Sequence, residues 1–207
     1  WPANHVILGF GMNESFAGVD GIPRFRTDLD GYLNEIRRRH PDAGIILLSP
    51  TAVEDLDHPH YPDPGKRNAE IRAYVDAMKD IATQRKIRFI DLFAPTLAAY
   101  AESGKPLTDN GIHLNADGYR LVAAQLGREL LGNTAYNNLD KSRAAEIAGA
   151  VSRKAGYVGT VVRPVNTVLY FGVRGRAREY NAEIPRYHAL IGKSDAVTHA
   201  MAGDASI

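Results

Sequence analysis

The sequence predicts an α/β protein in which helices cover both faces of a parallel β-sheet. Short apolar runs that fit buried strands alternate with segments whose apolar residues recur at helical spacing. This alternation is typical of parallel sheets, because each strand needs a long crossover, usually a helix, before the next can run the same way. The strand-like runs lie at residues 6–10, 44–50 and 87–92. We therefore expect a small parallel sheet with a helix after each strand.

Each segment between the runs has the pattern of an amphipathic helix. In the first, the recurring apolar residues are Phe25, Leu29, Leu33 and Ile36. Arginines 37–39 close it, at the end where cations complement the helix dipole. Further helices are predicted at residues 71–82, 93–101, 116–131 and 137–154. Residues 51–65 contain three prolines and are expected to form an irregular loop.

Composition excludes several classes of protein. Lys+Arg 25 against Asp+Glu 24 leaves a formal net charge of +1, so no overall field favours nucleic acid or an anionic membrane. The absence of cysteine excludes disulfides, thiol catalysis and cysteine metal sites. No run reaches the roughly 18 apolar residues that a membrane span requires. We expect neither a nucleic-acid nor a membrane partner, and the compartment stays open, export of a bacterial protein included.

The segment that surrounds His113 is the first candidate for chemistry. It reads Leu-Thr-Asp-Asn-Gly-Ile-His-Leu-Asn over residues 107–115 and directly precedes a predicted helix. Histidine is the side chain best suited to move a proton near neutral pH, and this one has polar neighbours at Asp109, Asn110 and Asn115. A loop that only caps the helix would account for the same residues.

The first predicted strand supplies a second candidate. It ends in Gly11-Met12-Asn13, and an amide side chain there would lie at the carboxyl edge of the sheet, where open α/β folds bind ligands.

Together these two segments resemble the SGNH (GDSL-like) hydrolases over roughly residues 5–131. The resemblance implies a flavodoxin-like three-layer α/β/α fold and a Ser-His-Asp triad. Asn13 would donate to the oxyanion, Gly11 would line the substrate site, and His113 would be the base. The family's aspartate position, three residues before His113, holds Asn110, with Asp109 one residue earlier. An amide there could orient the ring but could not stabilise its charged form, so both residues are candidates for the histidine's partner.

The family's Gly-Asp-Ser nucleophile block does not occur in the 207 residues. We therefore expect the N-terminal strands of the fold to be missing, an unpaired apolar sheet edge suited to self-association, and no activity of this chain alone. Ser15 is the local substitute for the nucleophile, but it is interpreted as a turn or capping residue.

The expected domains are a hydrolase-like core at residues 1–133 and an extension at 134–207, a helix plus an appended segment, that packs on the core. In the extension, Arg174 and Arg176 could bind a substrate carboxylate or a sugar hydroxyl; surface arginines are the plainer interpretation.

The predicted function is hydrolysis of a small O-acyl ester, carbohydrate esters being favoured by the polar surroundings, without cofactor or metal. The first alternative is a binding or scaffold module that retains the fold without the chemistry. The second is a phosphodiesterase or another metal-dependent hydrolase that uses His58, His60 and His113, although the spacing of these residues matches no recognisable set of metal ligands.

Overall fold

A computed structural model describes residues 3–61, 63–162 and 177–203. The chain divides into two compact units, Trp1–Tyr136 and Asn137–Ile207, and each is described by itself.

The first unit contains the sheet and most of the helices. In chain order its elements are β1 (His5–Gly9), short 3-10 turns at Glu14–Ala17 and Val19–Gly21, α1 (Ile22–Arg39), β2 (Gly44–Leu48), α2 (Pro64–Arg85), β3 (Arg88–Ile90), α3 (Phe93–Glu102), α4 (Ala116–Leu131) and α5 (Asn133–Asn137). The second unit contains α6 (Lys141–Val162) and α7 (Ala177–Ala202).

The sheet is parallel and has the order β1-β2-β3. Ile7 of β1 lies opposite Ile46 of β2, and Leu48 of β2 lies opposite Ile90 of β3. β2, which is paired on both sides, is the most apolar strand, as expected for a strand buried on both faces. Within the described residues β1 pairs with β2 alone, so its other edge is free.

Helices α1 and α2 cover one face of the sheet. The predicted stripe of α1 is buried there against Leu8, Ile45 and Leu47. α2 begins at Pro64 because the Asp63 carboxylate caps it, accepting from the backbone N–H of Gly65 at 2.8 Å.

Helix α4 covers the opposite face, where Val122 packs with Ile46, Ile90 and Leu92. The Asn115 side chain caps α4 and accepts from the N–H of Asp117 at 3.0 Å. With helices on both faces, the predicted three-layer arrangement is confirmed.

In the second unit α6 and α7 pack on each other, with a Lys154–Asp195 ion pair between them. The prediction that the first of these helices begins at residue 137 was wrong. Asp140 is the cap: its carboxylate accepts from the N–H groups of Ser142 and Arg143 at 3.0 Å, so α6 begins at Lys141. Arg174 and Arg176 lie outside the described residues.

Among the described segments, no helix combines the length and the apolar character that crossing a bilayer requires.

Candidate active site

The carboxyl ends of the parallel strands meet at one edge of the sheet, and three loops leave from there. Ser49, directly after β2, joins two of them: its hydroxyl oxygen accepts from the N–H of Leu92 at 2.7 Å and of Phe93 at 3.0 Å. Ser49 is 2% exposed. These two bonds hold the segment after β3 against the end of β2.

The Asn13 turn (residues 11–17) leaves β1 through a glycine in the left-handed region. Gly11 has φ 101°, and a Cβ there would lie 3.3 Å from both the Met78 sulfur and the Pro50 ring. Its N–H donates to the Glu14 carboxylate at 2.7 Å. Asn13 itself is exposed, and within the described residues its amide makes no hydrogen bond. The amide is thus free to donate to a ligand.

Buried Arg67 of α2 holds the Asn13 turn from below. Its guanidinium donates to the Ser15 hydroxyl at 2.7 Å and to the Ser15 carbonyl at 3.2 Å, and it pairs with Glu70. The Ser15 hydroxyl donates in turn to the Met12 carbonyl at 2.7 Å. Because Ser15 is fully buried and its hydroxyl is engaged on both sides, it is a residue of the turn and no accessible nucleophile.

The His113 loop (residues 107–115) is closed by backbone hydrogen bonds at its base. The N–H of Asp109 donates to the His113 carbonyl at 2.8 Å, and the N–H of Asn115 donates to the Leu107 carbonyl at 3.0 Å. Thr108 and Leu114 form an isolated antiparallel bridge. The loop therefore presents an exposed His113 side chain from a fixed backbone.

Asn110 contacts the imidazole. Its carboxamide oxygen accepts from the N–H of Ile112 at 3.2 Å and of His113 at 2.9 Å, which fixes the orientation of the amide. The His113 Nδ1 lies 3.1 Å from that oxygen and 3.0 Å from the amide nitrogen. If Nδ1 carries the proton it donates to the oxygen, and Nε2 is free to act as a base. If the amide nitrogen donates to Nδ1, the proton sits on Nε2 and the ring cannot act as a base there.

Asp109, the other candidate partner, is exposed. Across residues 3–61, 63–162 and 177–203 its carboxylate makes no hydrogen bond and no ion pair. The structure thus brings Asn110 to the imidazole and leaves Asp109 with only a backbone role.

The two turns share one support, the loop that follows β2. Met12 and Ile112, the neighbours of Asn13 and His113, pack against the same cluster, which includes Ala52 and Val53. The N–H of Glu54 donates to the Gly111 carbonyl at 2.8 Å. The amide and the imidazole therefore extend from turns held at the same edge of the sheet.

A family model described as GDSL-like Lipase/Acylhydrolase matches residues 1–121, more than half of the chain. The chain belongs to this family. The resemblance inferred from Gly11-Met12-Asn13 and His113 is thereby confirmed at the level of the family.

Two solved structures of similar proteins support the fold of this chain, and a third is less similar. A candidate platelet activating factor from Streptococcus pneumonia is 22% identical with a TM-score of 0.51, covering 61% of this chain and 59% of its own. A peptidoglycan O-acetylesterase is 22% identical with a TM-score of 0.50, covering 62% of this chain and 37% of its own. A lipase/acylhydrolase from Enterococcus faecalis is 23% identical, covers 61% of this chain and 60% of its own, and reaches a TM-score of only 0.46.

The chain thus spans less than two thirds of each of these proteins. No curated protein sequence matches it at a significant level.

Three residues that shape the site were not found from the sequence: Glu54, Arg67 and Thr108. Each is buried and polar. Glu54 and Arg67 bind backbone groups more than 50 residues away, and the Thr108 hydroxyl joins the Glu54 carboxylate to the N–H of Gly111. The only signal for Glu54 was a carboxylate directly after the apolar pair Ala52-Val53. Arg67 gave none, because an arginine in the first turns of an amphipathic helix is ordinarily solvated.

The two histidines of the irregular loop, His58 and His60, are not arranged to bind a metal ion together. His58 stacks on Tyr61 with ring centroids 4.3 Å apart, and its Nδ1 accepts from the N–H of His60 at 3.3 Å. In the part of the chain that the structure describes, no group of three or more His, Asp or Glu is placed to hold a metal ion. The metal-dependent alternative therefore has no support from geometry.

Proposed function

We propose that this protein cleaves a small O-acyl ester at the carboxyl edge of its sheet, with His113 as the base and Asn13 as an oxyanion donor. The observation that carries the proposal is the shared support of the two turns. Met12 and Ile112 pack on one cluster, so an amide and an imidazole extend from the same edge. An ester carbonyl bound there would meet a donor for its developing charge and a group that moves protons.

Each residue has a distinct role in this proposal. His113 takes the proton of the attacking hydroxyl and returns it to the leaving alcohol. Asn13 donates to the oxygen that becomes negative, a contribution of about 3 kcal/mol to the barrier when one such donor is lost. Asn110 orients the imidazole through Nδ1, and Asp109 holds only the loop backbone. Gly11 lets the backbone approach Pro50 and Met78 closely, and its place in the lining of the substrate site stays a prediction.

We also propose that the attacking serine is supplied by sequence outside these 207 residues. Among the residues that the structure describes, two serines lie near this edge, and both hydroxyls make hydrogen bonds within the protein. Ser15 bonds to the Met12 carbonyl and Arg67, while Ser49 accepts from the backbone after β3. Neither is exposed, so neither could reach an ester carbonyl without breaking the turns that form the site.

A carbohydrate O-acyl ester is the proposed substrate class. The side chains that extend from the site are polar and exposed: Asn13, Asp109 and His113. Such groups suit hydroxyl-rich alcohols better than long acyl chains. One structural neighbour is a peptidoglycan O-acetylesterase, which agrees with this class, although at 22% identity it speaks for the fold alone. Arg174 and Arg176 remain proposed contacts for the substrate, and the packing of the extension on the core stays a prediction.

A binding module without catalysis is the second candidate, and one observation favours it. The partner of His113 is an amide, which cannot stabilise an imidazolium by charge. With the amide nitrogen donating to Nδ1, the ring would present an Nε2–H donor suited to a sugar hydroxyl. The same edge would then bind the carbohydrate without cleaving its ester.

Hydrolysis assays separate the two candidates. We expect the 207-residue chain to hydrolyse p-nitrophenyl acetate no faster than its His113→Ala variant. The polypeptide of the complete gene should release acetate from an O-acetylated glycan, and His113→Ala should lower its kcat by orders of magnitude. His58→Ala, which changes an exposed histidine of the neighbouring loop, is the matched control and should leave the rate unchanged.

Two other outcomes have defined meanings. His113-dependent turnover by the 207 residues alone would show that the nucleophile lies within them, and Ser15 would be mutated first. A complete polypeptide that binds the glycan but never releases acetate would favour the binding module.

A further inference from the structure

Glu54 is a carboxylate buried beneath the His113 loop. It is 5% exposed, and it follows the apolar residues of the loop after β2. Its oxygens accept from the N–H of Leu107 at 2.9 and 3.1 Å, from the N–H of Thr108 at 2.7 Å, and from the Thr108 hydroxyl at 2.5 Å. The start of the His113 loop is therefore bound to a single side chain more than 50 residues earlier in the chain.

A second set of bonds extends this contact toward the histidine. The Thr108 hydroxyl, which donates to Glu54, also accepts from the N–H of Gly111 at 3.0 Å. The Gly111 carbonyl accepts from the N–H of Glu54 at 2.8 Å. A Cβ on Gly111 would lie 3.0 Å from the Glu54 carbonyl, so the two backbones are in contact. Glu54 thus holds the loop on both sides of Asp109 and Asn110.

The bonding pattern requires a carboxylate. All the groups that face the Glu54 oxygens are donors, and among the described residues no ion pair includes this side chain. Burying an unpaired charge is costly unless its hydrogen bonds are complete. A glutamine would turn an N–H₂ group against the N–H of Leu107 or Thr108 and lose at least one of these bonds.

We propose that Glu54 is a positioning residue for His113. By fixing residues 107–111 it fixes Asn110, whose amide orients the imidazole through Nδ1. The inference rests on the proposed function, because the orientation of the ring matters for proton transfer. Glu54 does not contact the histidine side chain directly, and it acts on His113 through the backbone of the loop.

Nitrogen NMR of the His113 ring in the 207-residue chain tests the inference. In the parent we expect the contact between Asn110 and Nδ1 to favour one tautomer, so the two nitrogen shifts of the ring should differ clearly from those of a free imidazole. In Glu54→Gln these shifts should move toward the free values. The amide hydrogens of Asp109 and His113 should exchange at least about tenfold faster, equivalent to about 1.4 kcal/mol of local protection.

Matched variants separate positioning from a general loss of stability. Glu102→Gln changes an exposed glutamate of the same unit and should leave the ring signals unchanged. Thr108→Ser keeps the hydroxyl and should preserve them, whereas Thr108→Val removes the hydroxyl at nearly constant shape and should reproduce Glu54→Gln. Unchanged amide shifts in β2 and α2 show that the fold persists.

Parent-like ring signals in a folded Glu54→Gln chain would overturn the inference. So would loss of the whole fold in both Glu54→Gln and Thr108→Val, because the role would then be a global structural one. None of these readouts needs hydrolysis. Failure of the ring to respond therefore refutes the positioning role alone, while an absence of His113-dependent hydrolysis refutes the proposed function.

Discussion

Asn110 occupies the place beside the His113 imidazole where a carboxylate would stabilise the protonated ring. Its oxygen is held by two backbone N–H groups, so an aspartate could adopt the same rotamer and keep both bonds. Asn110→Asp should therefore place a negative charge about 3 Å from Nδ1, since the present oxygen lies at 3.1 Å. We expect this charge to favour the tautomer with the proton on Nδ1, because a carboxylate accepts from that N–H and has no N–H of its own to donate.

The measurement is nitrogen NMR of the His113 ring at about pH 9, where an imidazole is neutral and its nitrogen shifts report the tautomer. Asp109→Asn is the control and should change the His113 ring shifts little, because the Asp109 carboxylate makes no contact with the ring among the described residues. A large change in Asp109→Asn, with no response in Asn110→Asp, would identify Asp109 as the partner. Ring shifts that respond to neither substitution would refute the triad-like assignment.

The ionisation of Tyr100, in α3, makes the stability of the folded state depend on pH in the alkaline range. Burial raises the pKa of its phenol from 10.0 to about 12, and the Glu54 carboxylate adds to the shift. Its hydroxyl is buried without a partner among the described residues. The unfolded chain therefore loses this proton first, and the folded state loses stability as the pH rises from about 10 to about 12.

Tyr100→Phe should remove this contribution. We expect its free energy of unfolding, measured in urea, to equal or slightly exceed that of the parent at pH 8, because an unpartnered hydroxyl is deleted. Between pH 10 and 11.5 the variant should lose less stability than the parent. Identical slopes in the two proteins would show that Tyr100 ionises equally in the folded and unfolded states. Tyr119→Phe, an exposed tyrosine of α4, is the control.

At the scale of the elements, the junction between the His113 loop and α4 depends on one glycine. A Cβ at Gly118 would lie 2.1 Å from the Leu107 carbonyl oxygen, a backbone atom that Asn115 also uses. Alanine normally improves a helix by about 1 kcal/mol over glycine. Here we expect Gly118→Ala to destabilise the first unit by about 2 kcal/mol, because the loop must move away from the helix.

Gly31→Ala is the matched control for that prediction. Gly31 lies in α1, and a Cβ there would meet nothing within 4 Å. It should stabilise the same unit by about 0.5–1 kcal/mol in urea unfolding. Equal effects of the two substitutions would mean that the loop accommodates the methyl group and that Gly118 carries no constraint.

The elements themselves were predictable where periodicity and burial agree. The apolar residues of α1 from Phe25 to Ile36, and those of β2, could be recognised as buried from their spacing in the sequence alone. The start of α6 was not predictable from apolar spacing, because a cap at Asp140 decided it. The same holds within the site: motif spacing pointed to His113 and Asn13, whereas Glu54 and Arg67 act through long-range hydrogen bonds that leave no local pattern.

At the scale of the whole molecule, the free edge of β1 is the least protected part of the first unit. β1 reads His-Val-Ile-Leu-Gly and contains neither proline nor lysine, the residues that commonly guard an edge strand. Its other backbone edge has no strand beside it among the described residues. Ile7 is 51% exposed, although its opposite residue on β2, Ile46, is 6% exposed. Such an edge can form backbone hydrogen bonds with a further strand. In a solution of this protein, β1 of a second copy of the chain can be that strand.

We therefore predict that the 207-residue chain self-associates through β1. Sedimentation velocity should show an average mass that rises with protein concentration. Ile7→Lys should shift this curve toward the monomer, because two lysines would oppose each other across the paired edge and the apolar contact would be lost. Val19→Lys introduces the same charge at a residue that is 60% exposed but lies in a 3-10 turn, so it should leave the association unchanged. A parent chain that stays monomeric at all concentrations, or equal effects of the two lysines, would refute pairing through this strand.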